Sequence, residues 1–264
     1  RFPGCKYGPD KWACEFLDDL GAQIKKRGFD PLHPIPVEPI RYATASGHGI
    51  GKSAIVAWLV KFILDTRPFS KGRVTAGTDI QLRTTTWAEI AKWHNLSLSK
   101  DWFVLTTGRG SMSLVSAQVN PKTGEVYDNW RCDAMTSKKE NAQAFAGLHA
   151  PMATPFFVFD EASIIDDAVY VVRDGGVTDG EPMIFDFGNP TRNSGQFFEE
   201  CVGKLTHRYL HRQIDSRTVA ITNKPLHAEM IDDHGIDSDY VKVRILGQFP
   251  SQGTIQFIPT ADVD

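Results

Sequence analysis

The sequence predicts an α/β fold with a mainly parallel sheet covered by helices on both faces. Three observations carry that expectation. Apolar strand candidates alternate with stretches of helical periodicity, an order that crossover helices and parallel strands produce. The run Phe156-Phe157-Val158-Phe159 lacks polar alternation, as expected of a strand buried on both faces. A glycine-rich turn separates a strand candidate at 40–45 from a helix candidate at 53–65.

Taken in order, residues 12–26 set Trp12, Phe16, Leu17, Leu20 and Ile24 at helical spacing, and the proline-rich 30–36 reads as an extended linker. Residues 1–40 are thus expected to form a helical arm and linker ahead of a core at 41–250. The helix at 53–65 should end at Arg67-Pro68, because proline cannot continue a helix. A strand at 74–77 comes next, then a helix at 81–94 with Leu82, Trp87 and Ile90 as its apolar members. Residues 103–107, 113–119 and 130–134 read as strands, with Asn120-Pro121-Lys122-Thr123-Gly124 as the turn before the last. Residues 155–160, 183–187 and 218–222 complete the strand candidates.

The 264 residues are 41% hydrophobic and 23% charged, enough for a sizeable core and too evenly mixed for long disorder. A net charge of −3 gives no global positive field, so contact with nucleic acid must come from a local basic patch or an oligomer. The longest apolar stretch, 54–64, contains Lys61 and falls short of the roughly 20 residues that span a bilayer. No secretory pattern opens the chain, and a cytoplasmic location is expected. Cys5, Cys14, Cys132 and Cys201 show neither C-x-x-C spacing nor histidines at zinc-finger distance, so reduced thiols are expected.

The loop of the strand-loop-helix unit reads Ser46-Gly47-His48-Gly49-Ile50-Gly51-Lys52-Ser53. Such a loop suits phosphates: glycines let backbone N–H groups turn inward, and the helix N-terminus adds its positive dipole end. Lys52 would reach the β and γ phosphates of ATP, and Ser53 would offer a hydroxyl to Mg²⁺. The pattern G-x-x-x-x-G-K-[ST] asks for glycine at position 46, where this chain has the small Ser46. The alternative is a glycine-rich turn that carries Gly-Lys-Ser by chance.

The second motif is Asp160-Glu161, at the end of the apolar strand. That strand is expected beside the one feeding the loop, with Asp160 holding Mg²⁺ and Glu161 polarising an attacking water. Acidic residues at a helix N-terminus after a strand are the alternative. Lys52 and Glu161 are therefore the candidate catalytic residues, and Ser53 and Asp160 the candidate metal ligands. A water-activating glutamate argues against a small-molecule kinase.

Together with Phe187-Gly188-Asn189-Pro190-Thr191 and the segment Arg244-Ile245-Leu246-Gly247-Gln248-Phe249-Pro250, these motifs resemble the ATPase domain of the large terminase subunit of tailed double-stranded DNA bacteriophages, over nearly the whole chain. The resemblance implies a P-loop NTPase fold of the ASCE/RecA-like kind. It implies a motor that hydrolyses ATP with Mg²⁺ and drives double-stranded DNA into a procapsid in the host cell cytoplasm. A portal protein, a small terminase subunit and further copies of the chain in a homo-oligomeric ring are the partners it implies.

In that family a strand-end group couples γ-phosphate state to domain motion, a role that falls to Asn189, with Thr191 as second candidate; an amide both donates and accepts. An Asn-Pro turn ending a strand is the alternative. Trp12, in Pro9-Asp10-Lys11-Trp12-Ala13, stands where the family has its adenine-contacting segment, although Ala13 replaces the usual glutamine; otherwise Trp12 is a core residue of the first helix. His48 and Ala146-Gly147 stand where many terminases place arginines, which leaves an arginine finger open among Arg41, Arg83, Arg109 and Arg131.

Residues 251–264 read as the start of a linker to a C-terminal nuclease domain for which the sequence leaves no room, so nuclease activity is not expected. Asp215, Asp232, Asp233, Asp237 and Asp239 read as a loop surface. Lys204, His207, Arg208, His211, Arg212 and Arg217 read either as a solvated helix face or as a track for DNA phosphates. A helicase or other remodelling ATPase, and a nucleotide-gated binding module with little turnover, fit the same motifs.

Overall fold

Strands without polar alternation need cover on both faces, and helices supply it here. The computed structural model describes residues 8–251 except 109, 139–141 and 144. Its strands are β1 (Ile40–Ser46), β2 (Lys71–Thr75), β3 (Phe103–Gly108), β4 (Ser111–Ser116), β5 (Arg131–Ala134), β6 (Pro155–Asp160), β7 (Met183–Gly188) and β8 (Leu210–Ile214). They form one eight-stranded sheet in the order β3-β4-β5-β2-β6-β7-β1-β8. From β5 to β8 every neighbour is parallel, while β4 runs antiparallel to β5 and pairs with β3 as a hairpin.

Successive side chains of a strand point to opposite faces, and the core divides accordingly. Tyr42, Val74, Phe156, Val158, Phe185 and Phe187 pack with α1 (Lys11–Arg27) and α2 (Lys52–Thr66). Ala43, Ala45, Phe157, Phe159 and Ile184 pack on the other face with α5 (Asp167–Gly175) and α6 (Gln196–Cys201). The first helix belongs to this core: Phe16 lies 4.7 Å from the Tyr42 ring and 5.6 Å from Phe187. Asp19 Oδ2 accepts from Tyr42 Oη at 2.9 Å and from Arg212 at 2.9 Å, which pins α1 across β1 and β8.

Three expectations need correction. The acidic strand β6 is not beside β1; β7 lies between them. Consecutive strands tend to be neighbours, and β7, which follows β6 in the chain, pairs with it and so takes the place beside β1 that was expected for β6. Residues 218–222 are not a strand either. Thr222 Oγ1 donates to the Ser216 carbonyl at 2.6 Å, and Lys224 Nζ donates there at 3.1 Å, so side chains satisfy backbone groups in a turn instead of a ladder. The missing strand is β8, inside the basic strip, which is therefore not a helix face: a short 3₁₀ turn at Thr206–Arg208 leads into an edge strand whose middle faces water.

The helix expected at 81–94 is longer and not uniform. Thr78 caps α3 (Asp79–Gln81), a π-helical stretch covers Leu82–Trp87, and α4 (Ala88–Leu96) continues it. Among the described residues no helix is long and apolar enough to cross a membrane.

A buried ionic cluster braces the second face. Arg173, fully buried on α5, donates to Asp186 of β7 at 2.7 Å, to Glu200 of α6 at 3.0 Å and to Tyr209 at 2.9 Å. Asp186 Oδ1 and Glu200 Oε2 are buried without a hydrogen-bond partner. Burial and then the neighbouring Glu200 drive the Asp186 carboxyl well above its ordinary range, against the pull of Arg173. One cation thus holds the segments that follow the acidic pair and Asn189 in fixed relation. Arg173→Ala would strand two carboxyls in the core and should cost about 3–5 kcal/mol in urea unfolding. Asp174→Ala, at the half-exposed end of the cluster, should cost within about 0.5 kcal/mol.

Candidate nucleotide-binding site

The loop from Ser46 to Ser53 joins the end of β1 to the start of α2, and its sequence dictates its shape. Gly51 has φ 88° at the helix entrance, a conformation that penalises any Cβ. Gly47 answers a different need: a Cβ there would overlap Ser216 Oγ and the Ile245 carbonyl. The C-terminal segments press on the loop from outside, with His48 N donating to the Arg244 carbonyl at 2.8 Å and Ser216 Oγ donating to the His48 carbonyl at 2.8 Å. Underneath, Ile50 is buried, and its carbonyl accepts the Trp12 indole N–H at 3.1 Å.

Lys52 opens α2 and turns its chain inward, where it is 9% exposed. Its ammonium donates to Asn189 Oδ1 at 3.1 Å and to Ser46 Oγ at 3.3 Å. Asn189, at the end of β7, also donates from Nδ2 to the Ser46 carbonyl at 2.6 Å. The serine that replaces the pattern's glycine is therefore a contact of the lysine. Burial lowers the Lys52 pKa, and the charges of Glu161 and Asp160 partly offset that.

Asp160 ends β6, 3% exposed. Oδ2 accepts from Ser53 at 3.3 Å and from Thr86 at 2.8 Å, and Oδ1 accepts from the Glu161 amide at 3.1 Å. Glu161 itself sits at φ 54°, ψ 44°, a left-handed conformation that costs a non-glycine residue about 1–2 kcal/mol. Burial raises its pKa, and Asp160 adds to that rise, while Lys52 and the Asn189 amide oppose it. Ser163 and Thr191 share a hydroxyl hydrogen bond of 2.9 Å, which ties the acidic segment to the one after Asn189.

The loop, Glu161, Asn189 and Thr191 line one cleft of about 610 Å³. Gln81 and Glu89 of the α3–α4 helical unit complete its wall, and with Thr86 these went unnoticed in the sequence. A lone threonine in Thr84-Thr85-Thr86 carries no motif; only the π-helical stretch turns it to Asp160. Trp12 lies in the core beneath the loop.

Among the arginine-finger candidates, Arg131 pairs with Asp133 and Arg83 with Asp79 at 3.1 Å; Arg41 lies half-buried on β1, and Arg109 falls outside the described residues. Asp215 is paired with Arg217 at 2.6 Å, Asp232 and Asp233 lie on α7 (Lys224–His234), and the described residues hold no cluster of three or more His, Cys, Asp or Glu groups placed for a metal.

A glycine-rich loop on a strand whose neighbours are β7 and β8, with an acidic pair one strand further on, defines an α/β protein with a P-loop fold. Within that class the fold is that of large terminase ATPase domains. The chain superposes on the ATPase domain of the Thermus phage P74-26 large terminase with TM-score 0.57 and 15% identity, covering 86% of this chain and 96% of that one. The large terminase of a thermophilic bacteriophage, in complex with ADP, gives TM-score 0.56 and 14% identity over 80% of this chain and 48% of that one. The HK97 bacteriophage large terminase gives 0.56 and 10% over 79% and 47%. The chain thus spans about half of the two longer terminases. No family model and no curated protein matches it.

The geometry bears on stability in two places. Because the folded-state pKa of Glu161 lies above its ordinary 4.5, its ionised form is a cost that disappears on acidification. Glu161→Gln should raise the thermal midpoint at about pH 8, with the advantage shrinking as pH falls through the folded pKa and gone below 4.5; an advantage constant with pH would contradict it. Gly47→Ala should lower the midpoint far more than Gly110→Ala, where an added Cβ meets nothing within 4 Å.

Proposed function

We propose that the chain binds Mg–ATP, hydrolyses it to ADP and phosphate, and serves as the motor domain of a large terminase that drives double-stranded DNA into a viral procapsid. One observation carries the reading. Lys52, Ser53 and Glu161 line the same cleft, and Ser53 Oγ donates to Asp160 Oδ2 behind it at 3.3 Å although 107 positions separate the two residues. The donor set fits the ligands. Ser53 and Asp160 offer the hard oxygens that Mg²⁺ takes, and Lys52 offers a buried ammonium bonded to neutral oxygens, where phosphate would be its counter-ion.

When bound, Mg²⁺ would neutralise charge on the phosphates. The chain's own residues supply the rest. The Gly47 and His48 N–H groups are spent on the Ile214 and Arg244 carbonyls, so the N–H groups nearer the start of α2 would hold anionic oxygens. Glu161, which lines the cleft and whose pKa burial raises, would act as base toward an attacking water. Asn189 bridges Lys52 and the Ser46 carbonyl, so a phosphate that draws Lys52 away frees one side of its amide; this supports a sensing role.

The motor part of the proposal draws on the fold and on relatives. The thermophilic-phage terminase has been seen with ADP and with ATP-gamma-S, which supports nucleotide as the ligand of this fold. A homo-oligomeric ring on a portal protein, a small terminase subunit and the host cell cytoplasm belong to the same reading. Lys204, His207 and Arg208 are exposed beside the edge strand, whereas Arg212 is committed to Asp19. DNA contact is therefore assigned to the first group.

Phosphate release is the direct test. Lys52→Ala should lose both binding and turnover, while Glu161→Gln should bind ATP and turn over about 100-fold more slowly. A wild-type rate no higher than that of Glu161→Gln would leave a binding module only. For DNA, Lys204→Ala with Arg208→Ala should weaken duplex binding in fluorescence anisotropy and flatten its log-log salt slope by about 2. Strand separation by the wild type would favour a helicase.

A further inference from the structure

The loop has a second side. Glu161 and Asn189 lie on its β7 flank, and β8 and the segments after it lie on the other. There, Ile221 Cδ1 comes within 3.6 Å of where a Cβ on Gly51 would stand, and Thr222 Cγ2 within 3.9 Å of the corresponding point on Gly49. His48 and Gly49, which line the catalytic cleft, also line a cavity of about 270 Å³ that opens against α7.

We propose that this second cavity, between the tip of the phosphate loop and α7, takes the nucleoside end of the triphosphate whose phosphates lie on the loop. The inference rests on the nucleotide reading above and adds the residues that would select the nucleoside. Direction comes first. With the water-activating glutamate and Asn189 on the β7 flank, the reacting γ end points that way, and the nucleoside must leave toward β8.

The chemistry of the cavity agrees. Its walls include Ile221 and Leu226, apolar side chains that are 63% and 42% exposed, and Met230, a polarisable chain suited to the face of a ring. Covering exposed apolar chains with a flat base removes them from water. Into the same cavity comes His227, only 9% exposed, whose Nδ1 is buried with no hydrogen-bond partner. A buried polar atom left unpaired costs free energy, and the edge of a nucleobase carries in-plane donors and acceptors that would pair it. Asn223 and Arg244 add polar reach at the rim, near a ribose. Trp12 is not available for stacking, since its indole is buried in the core and committed to the Ile50 carbonyl.

Calorimetric titration of the full chain with Mg²⁺ separates the two ends of the ligand, with inorganic tripolyphosphate as the probe for the loop alone. Wild type should bind ATP roughly tenfold more tightly than tripolyphosphate. His227→Leu and Leu226→Asp should each shrink that ratio toward one while leaving tripolyphosphate affinity unchanged, which also certifies that the variants fold. Retention of the wild-type ratio in both variants, or equal weakening toward both ligands, overturns the assignment. Equal wild-type affinity for the two ligands overturns it while leaving the nucleotide reading intact; binding of neither ligand sinks both.

Discussion

The arrangement turns on a positive charge taken out of water without a carboxylate in contact. Lys52 meets two neutral oxygens, Ser46 Oγ and Asn189 Oδ1, while the acidic groups that favour its charge act from across the cleft. Desolvating an ammonium is expensive, and a hydrogen bond to an amide oxygen returns only part of that cost. The site is therefore poised for an anion, and its other features can be understood as ways to hold that lysine in place. The Asn189 amide grips both lysine and loop, the loop is wedged between α1 below and the Ser216 and Arg244 segments outside, and β7 carries Asn189 to the right depth.

The sheet order explains why so few residues suffice. Placing β7 between β1 and β6 sets Asn189 between the loop and the acidic pair, so that its side chain bonds the loop and Lys52 while its backbone N–H serves Glu161. Downstream of each motif, helices α5 and α6 lock together through Arg173, and the Ser163–Thr191 bond repeats the link nearer the cleft. Motion of one motif without the other would have to break a buried ion pair, which makes the two segments one mechanical body.

Much of this was legible in the sequence. The loop, the lysine and the acidic pair declare themselves because each needs specific residue types at fixed local spacing, whereas Asn189 was singled out only through the resemblance; the two-sided burial of β6 and β7 shows in unbroken apolar runs. Strand order did not show, because β6 and β7 are equally apolar and local composition says nothing of which neighbour each will take. β8 was hidden because an edge strand buries little: its polar middle matches any solvated segment, whereas the more β-prone Thr218-Val219-Ala220-Ile221-Thr222 is held as a turn by side-chain bonds. Trp12 satisfied its helical periodicity, yet no periodicity indicates that its indole N–H would be used up by the phosphate loop. Thr86 had no signal at all, since its role depends on helix geometry.

A π-helical turn arises when a helix holds one residue more than its α-helical register needs, and here the surplus lies within Leu82–Trp87. It lets Thr86 reach Asp160 while its neighbour Trp87 sends its indole N–H to the Thr106 carbonyl on β3. Removing one residue from this stretch would regularise the turn and rotate the remainder of the helix by about 100°, swinging the hydroxyl off the carboxylate. Length here matters more than residue type: chains free to vary in letters between the second strand and the hairpin should keep their count.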